Sequence, residues 1–343
     1  MNSLLSALAG DAEIEALLSD AAQLDAMLAV EVALAQASAD CGWIGEDAAA
    51  AIAAGIAGFT PDWAGLSAGM AQDGVVVPAL VRQLRAAIAA PHDAALHKGA
   101  TSQDVIDTAL MLQVARVFDL YEARLDRLLT RLAALAEEAG ARPLMAHTRM
   151  QAALPTSWGA KLGSWSEPLQ RYLEELARMR ASLLVVQLGG PVGDRGSFAG
   201  HGDAIAAGMA RRLDLGLAGP WQASRDPIVA LGGLLVRISG SLGKMGADVA
   251  LLAQSEIGAV RIEGAGGSSA MAHKANPVTA EVLVALARHN GGLGGTLGQA
   301  MVHEYERSGA AWTLEWLTLP AMLVTAGASL RLGEKLLEQI RLV

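Results

Sequence analysis

The sequence predicts an all-α protein, an elongated bundle of about five long helices with a smaller helical N-terminal domain. Three observations predict it. Alanine and leucine, both strong helix formers, dominate the chain. Alternating strand-like runs are short, as at Val75–Val77. Five stretches carry helical periodicity over roughly 25 to 35 residues, or roughly 40–50 Å each at 1.5 Å per residue.

Residues 1–100 read as shorter helices and form an acidic N-terminal domain. Residues 1–81 contain 11 acids and neither Lys nor Arg. The bundle occupies 101–343. Its first helix runs from Asp104 to about Glu138, with apolar residues at Val105, Leu110, Leu112, Val117, Leu120, Leu125, Leu128 and Leu132 and Gly140 just past its end. The second runs from about Ala160 to Val186, with Pro168 marking a kink or a break. The third spans Asp226 to about Glu256, the fourth Pro277 to about Met301, and the fifth about Ala311 to Ile340. Much of the third and fifth is apolar all round. Such helices need burial on more than one side, so bundles are expected to pack against bundles in an oligomer.

Composition excludes several classes. Hydrophobic residues make up 52% and charged residues 18% of 343, too apolar for a disordered chain. Mean hydropathy is +0.34. The longest stretch without Asp, Glu, Lys, Arg or His is Trp316–Leu330, interrupted by Pro320 and shorter than the roughly 20 residues of a span. No membrane association is expected. The net charge of −9 and the lack of a basic run argue against nucleic acid. A single cysteine, Cys41, excludes an intramolecular disulfide and a multi-cysteine metal site. The first residues lack a basic leader, so a cytoplasmic location is expected.

Three polar segments interrupt the apolar pattern. The first is His97-Lys98-Gly99-Ala100-Thr101-Ser102-Gln103-Asp104. As plain structure it is a helix start, with Thr101 or Ser102 as cap and Asp104 at the positive end. Free N–H groups, two hydroxyls, a His and a Lys also make it a carboxylate site. The second, His147-Thr148-Arg149-Met150-Gln151-Ala152-Ala153-Leu154-Pro155-Thr156, reads by itself as a surface turn before a helix. The third runs from Gly264 to Pro277 and includes Gly266, Gly267, Ser268, Ser269, Met271, Lys274 and Asn276. A flexible connector is the bland account. Convergent amides from the glycines, the Lys274 charge and the Asn276 amide instead suit an anion.

The third segment, Gly-Ser-Ser-Ala-Met-Ala-His-Lys-Ala-Asn-Pro, resembles the signature loop of the fumarase/aspartase superfamily, with Ala272 where proline is usual. The first segment resembles that superfamily's H-x-G-x-T-S-x-D block. The second resembles its R-T-H block, and all three occur in order. The resemblance covers nearly the whole chain. It implies a homotetramer whose active sites each collect the three segments from three subunits. It also implies anti β-elimination or addition beside a carboxylate, through an aci-carboxylate carbanion, with no metal or organic cofactor. The loop serine that moves the carbon-bound proton aligns with Ser268, with Ser269 as the competing assignment. Many members carry a further C-terminal helical domain of roughly 100 residues, which is expected to be absent here.

The second segment discriminates within the superfamily. Where fumarate-forming lyases commonly have Arg-Thr-His, this chain has His147-Thr148-Arg149. An arginine, with a pKa above about 12, cannot deliver a proton at neutral pH. A carboxylate leaving group needs none, because its conjugate acid has a pKa near 4. A bidentate carboxylate clamp would serve better. The segments at 148–155 and 303–316 are similar to the cycloisomerase branch, which lactonises 3-carboxy-cis,cis-muconate. A polycarboxylate substrate is then expected at His97, Thr101, Ser102, His147, Arg149, Gln151, Arg225, Ser269, Met271, Lys274 and Asn276, with Ser268 catalytic. His147 is a substrate contact or a structural replacement for the family arginine. Arg225 is a site residue or part of a helix start. Gln254 and Glu256 fall in the helix before the loop. The alternatives are a fumarate-releasing lyase of the adenylosuccinate or argininosuccinate type, and a non-catalytic oligomeric protein.

Overall fold

A computed structural model describes residues 3–267, 271 and 274–343, with Ser3 described by its backbone alone. Helices α1 (Ser3–Ala9), α2 (Ala12–Leu17), α3 (Asp20–Asp40), α4 (Glu46–Ala57), α5 (Trp63–Asp73) and α6 (Val77–Ala87) make the N-terminal part. Side-chain caps at Asp11, Ser19 and Asp62 start three of them. Their apolar faces close around Leu34, Ile52, Leu80 and Leu84, and the start of the first long helix contributes Val105 and Ile106.

Five long helices follow. They are α7 (Ser102–Ala139), α8 (Trp158–Leu183), α10 (Asp226–Leu252), α11 (Val278–Gln299) and α12 (Gly309–Gln339), with the short α9 (Gly202–Leu213) between α8 and α10. The five expected helices are all present. Pro168 neither breaks nor ends α8, and Pro320 lies inside α12.

Paired contacts give the directions. Trp312 meets Asp107, Tyr121 meets the Leu323 carbonyl and Arg131 meets the Leu337 carbonyl, so α12 runs parallel to α7. Tyr172 meets Ser241 and Lys161 approaches Asp248, so α8 runs antiparallel to α10. The core between them holds Phe118, Tyr121, Trp158, Leu235 and Leu330. Arg124, only 2% exposed, ties α7 to Asp11 and to the Gly327 carbonyl of α12.

Two small antiparallel pairs depart from the purely helical expectation. The second polar segment is a hairpin, β1 (Pro143–Thr148) with β2 (Gln151–Ser157), not a simple turn. Strand β3 (Val260–Ile262) pairs with β4 (Ile340–Leu342). Helix α10 also stops at Leu252, so Gln254 and Glu256 lie in a turn beyond it. Its length and composition, with a mean hydropathy of 1.4 over 18 residues, are those of a membrane span. Within the bundle 56% of that window is buried.

Candidate active site

The first segment sits at the start of α7. Asp104 accepts the Thr101 N–H at 3.0 Å, which fixes the first turn. The same carboxylate accepts the Gly189 N–H at 2.7 Å, the Gly190 N–H at 3.0 Å and the Gln187 amide at 3.1 Å. Burial pushes the Asp104 carboxyl upward, and these hydrogen bonds oppose it. Asp104 therefore anchors the 189–190 loop beside Thr101 and Ser102. Both of those residues stay partly open.

His97 precedes this turn in a left-handed conformation, φ 59°. Its Nδ1 lies 2.6 Å from Glu31 Oε1 on α3. Burial alone would lower the imidazole, but the Glu31 charge and hydrogen bond outweigh it and raise its pKa. Gly99, φ 78°, is required here, since a Cβ would meet Trp43 at 2.6 Å and Phe198 at 2.9 Å. Arg307 reaches in from the approach to α12, donating to Gln103 Oε1 at 3.0 Å and to the Pro191 carbonyl at 3.2 Å. Glu31, Gly189 and Gly190 escaped the sequence reading because each is far from the segment it supports, whereas Arg307 falls in the 303–316 segment already singled out there.

The expectation that Arg225 contacts substrate is corrected. Its side chain is wholly buried, donating to both oxygens of Asp107 and both of Glu315 over the Trp221 ring. Burial would lower its pKa, and the two carboxylates raise it instead. The hydrogen-bonding edges of the guanidinium are occupied, so a substrate has nothing to bind.

The hairpin lies at the other end of α7. Arg149 (φ 49°) and Met150 (φ 64°) form its tip, both left-handed and exposed. Two such non-glycine residues in succession store backbone strain. Arg149 has no hydrogen-bond or ion-pair partner among the described residues. His147 is exposed, with Nδ1 3.1 Å from the Met145 carbonyl, and Gln151 starts the return strand in the open. A groove of about 690 Å³ beside them is lined by His147, Arg149, Lys161, Asp248 and Gln254. A more apolar groove of about 550 Å³, with Trp63, Met70 and Trp316, holds no residue expected at the site.

The third segment leaves β3 at the same end as the hairpin, where Arg142 donates to the Leu342 carbonyl of β4. Gly266 and Asn276 exchange backbone hydrogen bonds of 2.8 and 2.9 Å and close its neck. The Asn276 amide is used on the Gly267 carbonyl at 3.1 Å, so it pins the loop. Lys274 and Met271 are exposed. Ser268 and Ser269 lie outside the described residues. Among the described residues no group of three or more His, Cys, Asp or Glu is placed to hold a metal ion.

The hairpin and the loop thus share one end of the bundle, and His97, Thr101 and Ser102 occupy the other. The 38 residues of α7 separate them by about 55 Å at 1.5 Å per residue.

A family model described as a lyase matches residues 11–290. The 3-carboxy-cis,cis-muconate cycloisomerase of Pseudomonas aeruginosa is 39% identical, over 98% of this chain and 75% of its own length. The nitrosuccinate lyase of Streptomyces davaonensis is 36% identical, over 97% of this chain and 73% of its own length. The crystal structure of the 3-carboxy-cis,cis-muconate lactonizing enzyme from Pseudomonas putida superposes with a TM-score of 0.93 at 36% identity. That alignment covers all of this chain and 78% of the other.

Proposed function

The chain belongs to the fumarase/aspartase superfamily of lyases, and from that premise we propose that it is a cycloisomerase closing 3-carboxy-cis,cis-muconate to 4-carboxymuconolactone. One observation carries the reading. The position where fumarate-forming members of the superfamily commonly hold a proton-donating histidine holds Arg149, displayed on a strained tip with no hydrogen-bond or ion-pair partner among the described residues. A guanidinium cannot supply a proton at neutral pH, but it grips a carboxylate through two parallel hydrogen bonds.

The reaction then runs within one substrate molecule. A carboxylate oxygen oriented by Arg149 adds to the conjugated double bond. The electron pair moves to the carbon beside another carboxylate, which holds it as an aci-carboxylate. Ser268 delivers a proton to that carbon and regains one from solvent, so the net change is uptake of one proton by the substrate trianion, and no oxidant is needed. Lys274 and the start of α7 at Thr101–Ser102 neutralise the remaining carboxylates. No metal or organic cofactor takes part.

One chain cannot bring these groups together, because about 55 Å of α7 lies between them. We therefore read the active unit as a homotetramer with shared sites. The bundle surface supports this. Gly233 and Gly240 on α10, and Gly291, Gly295 and Gly298 on α11, have open space where a Cβ would stand. Bare backbone on apolar helices lets helices of another copy approach closely.

The second reading is an elimination whose leaving group departs as a stable anion, supported by the likeness to the nitrosuccinate lyase and by the same Arg149. Release of an amine, as from adenylosuccinate or argininosuccinate, fits less well without an acid at that position. The test is loss of the muconate's ultraviolet absorbance with purified protein, with Ser268→Ala alongside. Rapid loss in the wild type alone supports the reading. No loss in either, with fumarate released from another substrate, rejects it.

A further inference from the structure

We propose that Glu31 is a positioning residue: from α3 in the N-terminal part it holds His97 by Nδ1 and keeps it a cationic donor at the anion site formed by the first segment. The inference rests on the function proposed above for its substrate but not for its geometry. The two residues are 66 positions apart and meet at 2.6 Å. The Glu31 side chain is fully buried, and that of His97 is 14% exposed. Glu31 Oε2 has no hydrogen-bond partner among the described residues. A carboxylate so enclosed, with one oxygen unpaired, needs a cation on the other.

His97 answers that need because its backbone is pinned. Its φ of 59° fixes the ring's point of departure, and Gly99 wedges the next turn against Trp43 and Phe198. Lys98 is turned away, its Nζ 3.3 Å from the Trp43 carbonyl and 4.6 Å from the ring centroid. With Nδ1 committed to Glu31, Nε2 is the remaining donor of the ring.

The other charged groups that bear on His97 are Asp104 on α7, which favours its cation, and Arg85 on α6, which opposes it. Arg85 already donates to the Leu96 carbonyl. Asp104 is engaged by the Thr101, Gly189 and Gly190 amides and the Gln187 side chain. Glu31 therefore sets the charge on His97. Its loss should raise the KM for a polycarboxylate about 10-fold or more while kcat falls less, by analogy with the loss seen when the carboxylate behind a metal-bound histidine is removed.

The test has two arms, run on the assembled protein. Diethyl pyrocarbonate modifies neutral imidazole, so the pH dependence of labelling at His97, read by peptide mass spectrometry, gives its titration without any substrate. The wild-type midpoint is expected above the ordinary value of about 6.5. In Glu31→Gln it should fall, with the Glu31 charge and hydrogen bond gone, and His201 and His289 serve as internal controls. Glu31→Asp, which keeps the charge, should restore most of the difference and serves if Glu31→Gln does not assemble. The second arm is the pH dependence of KM for 3-carboxy-cis,cis-muconate, whose alkaline rise should move to lower pH in Glu31→Gln. A wild-type His97 midpoint at or below 6.5, or one that Glu31→Gln leaves in place, overturns the proposal. A wild type that shows the labelling result but no turnover of the muconate sinks the function reading and leaves the role of Glu31 standing.

Discussion

Arg225 Nη1 lies 2.6 Å from Asp107 Oδ2, and its Nη2 lies 3.2 Å from Oδ1 of the same carboxylate, so α10 and α7 are locked by a two-point ion pair without access to water. Glu315 of α12 takes the remaining edge at 2.5 and 2.8 Å. Three of the five long helices thus meet on one guanidinium. Arg225→Met leaves two buried carboxylates facing each other, which costs about 3–5 kcal/mol. The expected result is a thermal midpoint lower by roughly 5–10 °C, with KM unchanged in the protein that stays folded. A raised KM at unaltered stability would contradict the structural assignment. Arg225→Lys should recover little, since an ammonium cannot span both carboxylates.

Arg149 invites the opposite outcome. Its left-handed backbone favours glycine, so Arg149→Gly relieves strain while removing the guanidinium. Stability should hold or rise by up to about 1 kcal/mol. Turnover of the muconate should drop by about 100-fold or more, as for loss of a charge-assisted clamp of about 3 kcal/mol. Denaturant midpoints and initial rates on the same preparation check both halves. An active Arg149→Gly protein would remove the basis for choosing a cycloisomerase.

The separation along α7 makes a mixing experiment decisive. Ser102→Asp should fold, because an acid is welcome at a helix N-terminus, yet repel an anionic substrate. Arg149→Ala should be inactive for lack of the clamp. Equal mixing of the two unfolded chains, followed by joint refolding, should return about a quarter of wild-type activity if each site takes these residues from different subunits. No recovery from well-formed mixed tetramers would place both residues of a site in one chain. Independently, Gly295→Leu fills the open face of α11 and should lower the assembled mass in sedimentation without unfolding the bundle.

The five long helices were legible because their periodicity and Pro and Gly punctuation are local. The hairpin was not, because its tip is built from Arg149 and Met150, which carry no turn signature, and the segment reads as a surface turn before a helix. The motif segments could be named in sequence, but their neighbours could not. Glu31 looks like any polar residue of an amphipathic helix until α3 is packed against His97. Arg225 failed in the other direction, since a motif-like arginine beside a helix start gives no hint that two carboxylates 118 and 90 residues away will enclose it.

Acid should weaken the bundle through Glu315. Burial alone would raise its carboxyl, but Arg225 and His303 outweigh this and hold it below the ordinary range. His303 Nε2 stands 3.4 Å from Glu315 Oε1, an ion-pair distance. A carboxyl with a depressed folded-state pKa contributes stability above its unfolded value, near 4.5, and loses it as pH falls through the folded one. Asp104 works against this. Its folded-state pKa is raised, so protonation below that value favours the folded state until the unfolded value near 3.8 is passed. The stability gap between wild type and Glu315→Gln, measured by denaturant midpoints from pH 7 down to pH 3.5, should therefore be widest at pH 7 and close below about pH 4.5. For Asp104→Asn the deficit relative to wild type should instead grow on acidification over the upper part of that range. A Glu315→Gln gap that stays constant with pH would mean that Arg225 is held by Asp107 alone.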